Sequence, residues 1–223
     1  MLPEWLPWLL QVNDSQFPSG SYAHSLGLEG LTQLETVSTA AELEAFLRQQ
    51  IAPSLEAFEL PYLRRAHAAA AAGNIELLRA LDDELEAWKL AAELRTASRQ
   101  IGSRRLALVR KLCPAPVVER YAASGAPCHH LIITALELRS APVDAAVCAF
   151  VYQTLSGYTS ASLKLLRIGQ EKAHTILRMV VAELLDRHFG KEPDPDARTG
   201  WFNPLLEIAS LRHARAAERL FIS

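Results

Sequence analysis

Apolar residues recur at every third or fourth position along most of the chain, which is the period of an amphipathic α-helix. Thr39 and Glu42 have the spacing of a capping box, and Asn74 stands immediately before another amphipathic run. There is no hairpin signal and no internal repeat. The pattern therefore predicts an all-α protein with a single compact helical domain over residues 1–223. The predicted helices cover 5–12, 21–34, 40–51, 55–72, 75–113, 117–121, 129–138, 142–168 and 170–189, with a short one from 204.

Prolines interrupt two of these runs. Pro53 is expected to bend or end its helix, with Ser54 as the cap of the next one, and Pro61 is expected to kink the helix that follows. The run 75–113 is unusually long, and we interpret it as either one spine helix or two helices in tandem.

The stretch 17–30 departs from the ordinary pattern. A turn built on Pro18 and Gly20 leads into a predicted helix with Gly27 and Gly30 in its interior, where each glycine costs about 1 kcal/mol relative to alanine. Such glycines usually give another backbone room to approach. One face of this helix would combine an aromatic ring, a hydroxyl, an aliphatic group and an acid: Tyr22, Ser25, Leu26 and Glu29. The face fits a tightly packed internal helix or a docking surface.

The C-terminal part of the chain is different in composition. Prolines alternate with charges in 190–203, and we expect an exposed loop there. The segment 212–223 ends in apolar residues and is predicted to be a mobile tail that a partner orders.

Composition and charge narrow the class of protein. The 223 residues carry a formal net charge of −2, which gives no electrostatic reason to bind nucleic acid or an anionic membrane. Three cysteines without a pairing pattern indicate reduced thiols in a cytoplasmic protein. The N-terminal residues lack a basic region, so we expect no secretory signal, and no run is long enough to span a bilayer.

No motif for catalysis or phosphate binding is present, and we expect that the chain is not an enzyme and holds no resident cofactor. Cys128, His129 and His130 offer a thiolate and two imidazoles, which suit Ni²⁺ or Zn²⁺. Neighbouring side chains on a helix diverge by about 100°, so these three cannot converge on one ion. We expect histidines whose nitrogens are satisfied by backbone groups, and His24 is a further weak metal candidate. A transient site between subunits remains open.

Six short motifs follow one another along the chain. They are the Pro-x-Gly and Ser-x-Gly-Leu-Glu run in 17–30, Glu-x-Arg-x-x-Ser-x-x-x-Gly at 93–102, His-His at 129–130, the Gly-Gln ending of 163–170, Ile-Ala-Ser-Leu-Arg-His at 208–213, and Arg-Leu-Phe-x-Ser at 219–223. In this order they resemble the motifs of the urease accessory protein UreF family. Two positions depart from the family pattern, His24 and Ile222.

The resemblance implies an all-helical, dimeric, non-catalytic chaperone. It would bridge a nickel-carrying GTPase of the UreG type to a scaffold of the UreD (UreH) type and deliver nickel to apo-urease, with nickel handled only transiently by the complex. Carried over onto this sequence, the partner-binding residues would be Ser21, Tyr22, Ser25, Gly27, Glu29, Arg95, Ser98, Gly102, Gln170, Arg212, His213, Arg219, Leu220 and Phe221. By the same resemblance, the region 21–29 together with Arg95, Ser98 and Gly102 would face the dimer and GTPase contacts. The segment 212–223 would order on the scaffold. Alternatives are a helical interaction module of another system, a metal-transfer protein, or an unrecognised enzyme.

Overall fold

The computed structural model describes residues 2–190, 200 and 202–222, and every regular element in this part of the chain is helical. The helices are α1 (Leu6–Val12), α2 (Leu28–Gln33), α3 (Ala40–Phe46), α4 (Ala52–Ser54), α5 (Leu60–Ala71), α6 (Ile75–Trp88), α7 (Ala92–Leu112), α8 (Pro116–Ala122), α9 (His130–Glu137), α10 (Val143–Leu165), α11 (Gln170–His188) and α12 (Pro204–His213). They pack around one main hydrophobic core. The prediction of a compact all-α domain is confirmed.

Helix α9 lies at the centre of this core. It packs against α5 on one side and α7 on the other, and every residue from Leu131 to Glu137 is buried. A helix that is apolar on nearly all sides is stable only when neighbours surround it. The long helix α10 also packs on α5 and α9, and α11 covers it from outside. The start of α9, at His129 and His130, is thereby held between elements distant in sequence.

Pro53 does not end its helix, which was one of the two outcomes expected for it. Between α3 and α5 the chain stays helical through two wide π-helical turns, Leu47–Ile51 and Leu55–Glu59, with the short α4 between them. Such turns accommodate a proline, which lacks the N–H of a regular helical turn. Ser54 does not cap a helix, and its hydroxyl instead lies against the Glu59 carboxylate at 3.1 Å.

The long run 75–113 is two helices in tandem. Helix α6 ends at Trp88, the backbone leaves helical geometry at Lys89, and α7 begins at Ala92. Of the two interpretations that the sequence allowed, the tandem pair is the one observed.

The stretch 17–30 is not one helix, and this prediction is wrong. Ser21–Ala23 form a single 3-10 turn, His24 is extended, and α2 begins only at Leu28. Leu26 and Gly27 have left-handed backbones with φ of 53° and 92°, which no right-handed helix contains. The shared helical face expected for Tyr22, Ser25, Leu26 and Glu29 therefore does not exist.

The chain continues beyond α12 without further helix. Residues 214–222, hereafter the tail, are largely exposed apart from Phe221. The predicted loop 190–203 lies mostly outside the described residues. Within the described part of the chain, no helix combines the length and apolar composition needed to cross a bilayer.

Candidate functional site

The carboxylate of Glu29 joins the start of the chain to its end. Glu29 lies in the first turn of α2 and is buried. Its two oxygens accept hydrogen bonds from the backbone N–H groups of Leu220 at 2.7 Å and Phe221 at 2.9 Å. A buried carboxylate is stable only when such donors replace water. Glu29 thus holds the tail by its backbone.

The imidazole of His213, at the end of α12, lies between two carboxylates. Its Nε2 is 2.9 Å from Glu29, and its Nδ1 is 2.9 Å from Glu93 in the first turn of α7. The Ser210 hydroxyl donates to Glu93 at 3.2 Å, and the ring of His213 is fully buried. These four side chains, Glu29, Glu93, Ser210 and His213, are called the Glu29 cluster below.

The tail is attached to the 17–30 stretch at two further points. The backbone N–H of Ile222 donates to the Ala23 carbonyl at 2.8 Å. The Phe221 ring is buried, and the Lys164 ammonium of α10 lies 5.1 Å from its centroid. The side chains of Tyr22, Leu220 and Ile222 point outward and are 72%, 63% and 54% exposed. An apolar surface therefore borders the Glu29 cluster.

Glycine explains how α12 reaches α2. A Cβ on Gly30 would lie 2.5 Å from the Ala209 carbonyl oxygen, so any side chain there would force the two helices apart. The expectation that Gly30 makes room for another backbone is confirmed. Glycine is needed at position 27 for a different reason from the one that we expected. Its backbone has a positive φ, which residues with a side chain rarely adopt.

A second cluster lies where α7 meets the start of α9. The Ser98 hydroxyl is 3.0 Å from His129 Nδ1, and Glu86 is 2.9 Å from His129 Nε2. Gly102 lies against the Cys128 carbonyl. Arg95 donates to the Lys89 carbonyl at 2.9 Å and so fixes the break between α6 and α7. The 93–102 motif thus contacts His213 through its first residue and the α9 start through its later ones.

Asp82 of α6 fixes the backbone before α9. Its carboxylate accepts the N–H groups of Cys128 at 2.6 Å and His129 at 3.0 Å, and the Tyr121 hydroxyl donates to it at 2.6 Å. Burial raises the pKa of Asp82 to about 6, although these three hydrogen bonds act in the opposite direction. The left-handed backbone of Cys128, with φ of 67°, is held in place by this carboxylate.

The histidines His24, His129 and His130 have a lowered pKa. Burial is the main cause that lowers the pKa of His129 to about 4 and that of His130 to about 3, and it also lowers the pKa of His24. The ring nitrogens of His129 and His130 contact side chains. Those of His129 are described above, and His130 Nε2 is 3.2 Å from Gln153. The expectation of backbone partners for His129 and His130 is therefore wrong. No group of three or more possible ligands occurs among the described residues.

A cavity of about 540 Å³ lies between the 17–30 stretch, α10 and α12. Leu26, Leu206 and Phe221 contribute to its apolar wall, so the tail forms part of its boundary. Glu59 also lines it, and burial raises the pKa of that carboxyl. The cavity thus has the size of a small-molecule site.

The structure brings only some of the predicted partner-binding residues together. The Glu29 cluster and the tail contain Glu29, His213, Arg219, Leu220 and Phe221. At the start of α9 lie Ser98 and Gly102, whereas Arg95 lies at the break between α6 and α7. The 17–30 stretch before α2 contains Ser21, Tyr22, Ser25 and Gly27, and the last turn of α12 contains Arg212. Gln170 opens α11. Sequence reasoning missed Glu93 and Ser210 as site residues. Glu93 belongs to the 93–102 motif and Ser210 to the 208–213 motif, and this membership was the one available sign of their importance.

Comparison with known proteins agrees with this arrangement of motifs. The UreF family model matches residues 37–181. The chain is 30% identical to the urease accessory protein UreF of Paenarthrobacter aurescens over 96% of both chains. It is 28% identical to that of Geobacillus kaustophilus over the full length of both, and 30% identical to that of Bacillus sp. strain TB-90 over 96% and 97%. This is a family of accessory proteins rather than enzymes, as we expected. The chain belongs to the UreF family of urease accessory proteins.

Proposed function

We propose that the chain is a cytoplasmic urease maturation chaperone that acts as a homodimer. It bridges a UreG-type GTPase that carries nickel to a UreD-type (UreH-type) scaffold, so that nickel reaches apo-urease. The chain itself holds no resident metal in this proposal. Ser21 and Tyr22 belong to the GTPase side, and the tail belongs to the scaffold side.

One observation carries the proposal. The two segments assigned to different partners, 17–30 and the tail, are joined through Glu29 and Ala23. Around this junction the side chains of Tyr22, Leu220 and Ile222 are more than half exposed. Adjacent exposed apolar side chains around a polar, hydrogen-bonded centre are typical of a protein interface. This junction supports partner docking, and the division of its two segments between the GTPase and the scaffold follows from the family resemblance.

The first experiment is co-purification of the tagged chain with the UreD-type and UreG-type proteins of its own source, sized by light scattering. The expected result is a ternary complex with two copies of this chain. A clean dimer that captures neither partner would contradict bridging. Equilibrium dialysis with Ni²⁺ on the isolated chain distinguishes the metal-transfer alternative, for which tight binding is expected.

Surface variants then separate the two sides. Tyr22→Ala should abolish capture of the GTPase, and Leu220→Ala with Ile222→Ala should weaken capture of the scaffold by at least about tenfold, since exposed apolar anchors dominate interfaces. The matched control is Leu10→Ala with Leu112→Ala, which are similarly exposed. Leu112 ends α7, about 30 Å from Glu93 at its start. Equal losses in the control would contradict the assigned surfaces.

A further inference from the structure

We propose that Glu93 is a positioning residue for the tail. It acts through His213 on Glu29, the carboxylate that holds the tail backbone. The step from tail position to partner capture rests on the proposed function, whereas the positioning itself concerns only the isolated chain.

The hydrogen bonds of the Glu29 cluster form one connected chain. Glu29 accepts the backbone N–H groups of Leu220 and Phe221. The same carboxylate lies 2.9 Å from His213 Nε2. Glu93 accepts the Ser210 hydroxyl and lies 2.9 Å from His213 Nδ1. Each ring nitrogen of His213 therefore has a carboxylate partner, and the two partners together fix the orientation of the ring.

This arrangement lets Glu93 act on the tail through the His213 ring. Glu29 and Glu93 are both in contact with that ring, which is buried and cannot recruit water in place of either one. Without the Glu93 carboxylate, Nδ1 loses its charged partner and the ring is no longer held in one orientation. The Glu29 carboxylate, which contacts the same ring, is then no longer fixed toward the tail N–H groups. Among the hydrogen bonds and ion pairs of the described residues, none joins Glu93 to Leu220 or Phe221.

The direct contact between Glu93 and Arg219 offers a competing route to the tail. At 3.6 Å, with Arg219 43% exposed, it is a weak surface ion pair. Arg219→Gln removes this route and leaves His213 between its two carboxylates. A comparison of the two variants therefore separates the routes.

The test uses the full-length chain without partners. Wild type, Glu93→Gln and Arg219→Gln are compared by amide hydrogen exchange and by the ¹⁵N signals of the His213 ring. The matched control is Glu119→Gln, which removes a surface ion pair with Arg110. We expect Glu93→Gln to speed exchange at Leu220 and Phe221 about tenfold, to leave exchange in α9 unchanged, and to shift the ¹⁵N signals of the His213 ring. Arg219→Gln should change exchange less than threefold and leave those ring signals unchanged.

Three results would overturn the positioning role. One is unchanged exchange at Leu220 and Phe221 in Glu93→Gln. Another is equal acceleration throughout the molecule, which is a loss of global stability. The third is equally faster exchange at Leu220 and Phe221 in Arg219→Gln, with no further increase when Glu93→Gln and Arg219→Gln are combined in one chain. Capture of the UreD-type scaffold is measured separately: a freed tail with unchanged capture contradicts the proposed function of the tail and leaves the positioning role intact.

Discussion

At the scale of single residues, Gly102 and Gly157 form a natural pair for comparison. Both lie inside long helices, α7 and α10, where glycine is unfavourable relative to alanine. A Cβ on Gly102 would collide with the Cys128 carbonyl, whose backbone is already fixed by Asp82. A Cβ on Gly157 would meet nothing within 4 Å.

We therefore expect opposite effects of the same substitution. Gly102→Ala should lower the free energy of unfolding by about 3 kcal/mol, because neither backbone can move away. Gly157→Ala should raise it by about 1 kcal/mol, through helix propensity alone. Urea unfolding of the two variants measures both quantities. A neutral Gly102→Ala would show that the start of α9 is much looser than its hydrogen bonds indicate.

At the scale of elements, a buried ion pair fastens α7 to α9. Arg105 and Glu137 are 1% and 0% exposed, and Arg105 Nε donates to Glu137 at 3.1 Å. Arg105 also reaches the Val12 carbonyl at the end of α1, and Trp8 donates to the Glu137 carbonyl at 2.9 Å. Three helices thus meet at one pair of charges. Burial raises the pKa of Glu137, and Arg105 opposes that shift.

Removal of one partner of this ion pair should lower the free energy of unfolding more than removal of both. Arg105→Met should cost about 3–5 kcal/mol of the free energy of unfolding, since it leaves Glu137 buried without a counter-charge. Arg105→Met with Glu137→Leu should recover most of that loss, because apolar groups of similar volume replace the pair. Denaturant unfolding decides the matter, and a double variant as unstable as the single one would contradict this account.

The elements also show what sequence could and could not predict. The capping box of Thr39 and Glu42 and the cap at Asn74 are present as expected, because caps depend on residues three positions apart. The single helix predicted over the 17–30 stretch is wrong, since periodicity carries no information about the left-handed backbone of Leu26. The contact of Glu29 with His213 spans 184 positions, and no local rule joins residues so far apart.

At the scale of the whole molecule, buried ionisable groups act on stability in opposite directions. His129 and His130 have a lowered pKa, so the unfolded chain binds their protons more tightly and acid destabilises the fold. Asp82 has a raised pKa, so its contribution is present at low pH and is lost as pH rises through about 6. The pH profile of the wild type is a sum of these effects, and a variant is needed to isolate one of them.

The variant His130→Gln isolates the larger of the two histidine pKa shifts. The ordinary histidine pKa of 6.5 falls to about 3 in the fold, so stability from this group is complete above 6.5 and declines as pH falls toward 3. Between pH 6.5 and 5 the wild type should lose about 2 kcal/mol more than the variant. Glutamine can still donate to Gln153. Parallel pH profiles of the two proteins would contradict a neutral His130.

The attachment of the tail to Glu29 has a consequence for the order of events during synthesis. A ribosome makes Glu29 first, and Leu220 and Phe221 follow 191 and 192 positions later. Until those two residues have emerged, the Glu29 carboxylate lacks both backbone donors, and the apolar surface of Tyr22, Leu220 and Ile222 does not yet exist. A nascent chain can form its core around α9 before it can present this surface. Assembly through the surface therefore follows synthesis of the tail.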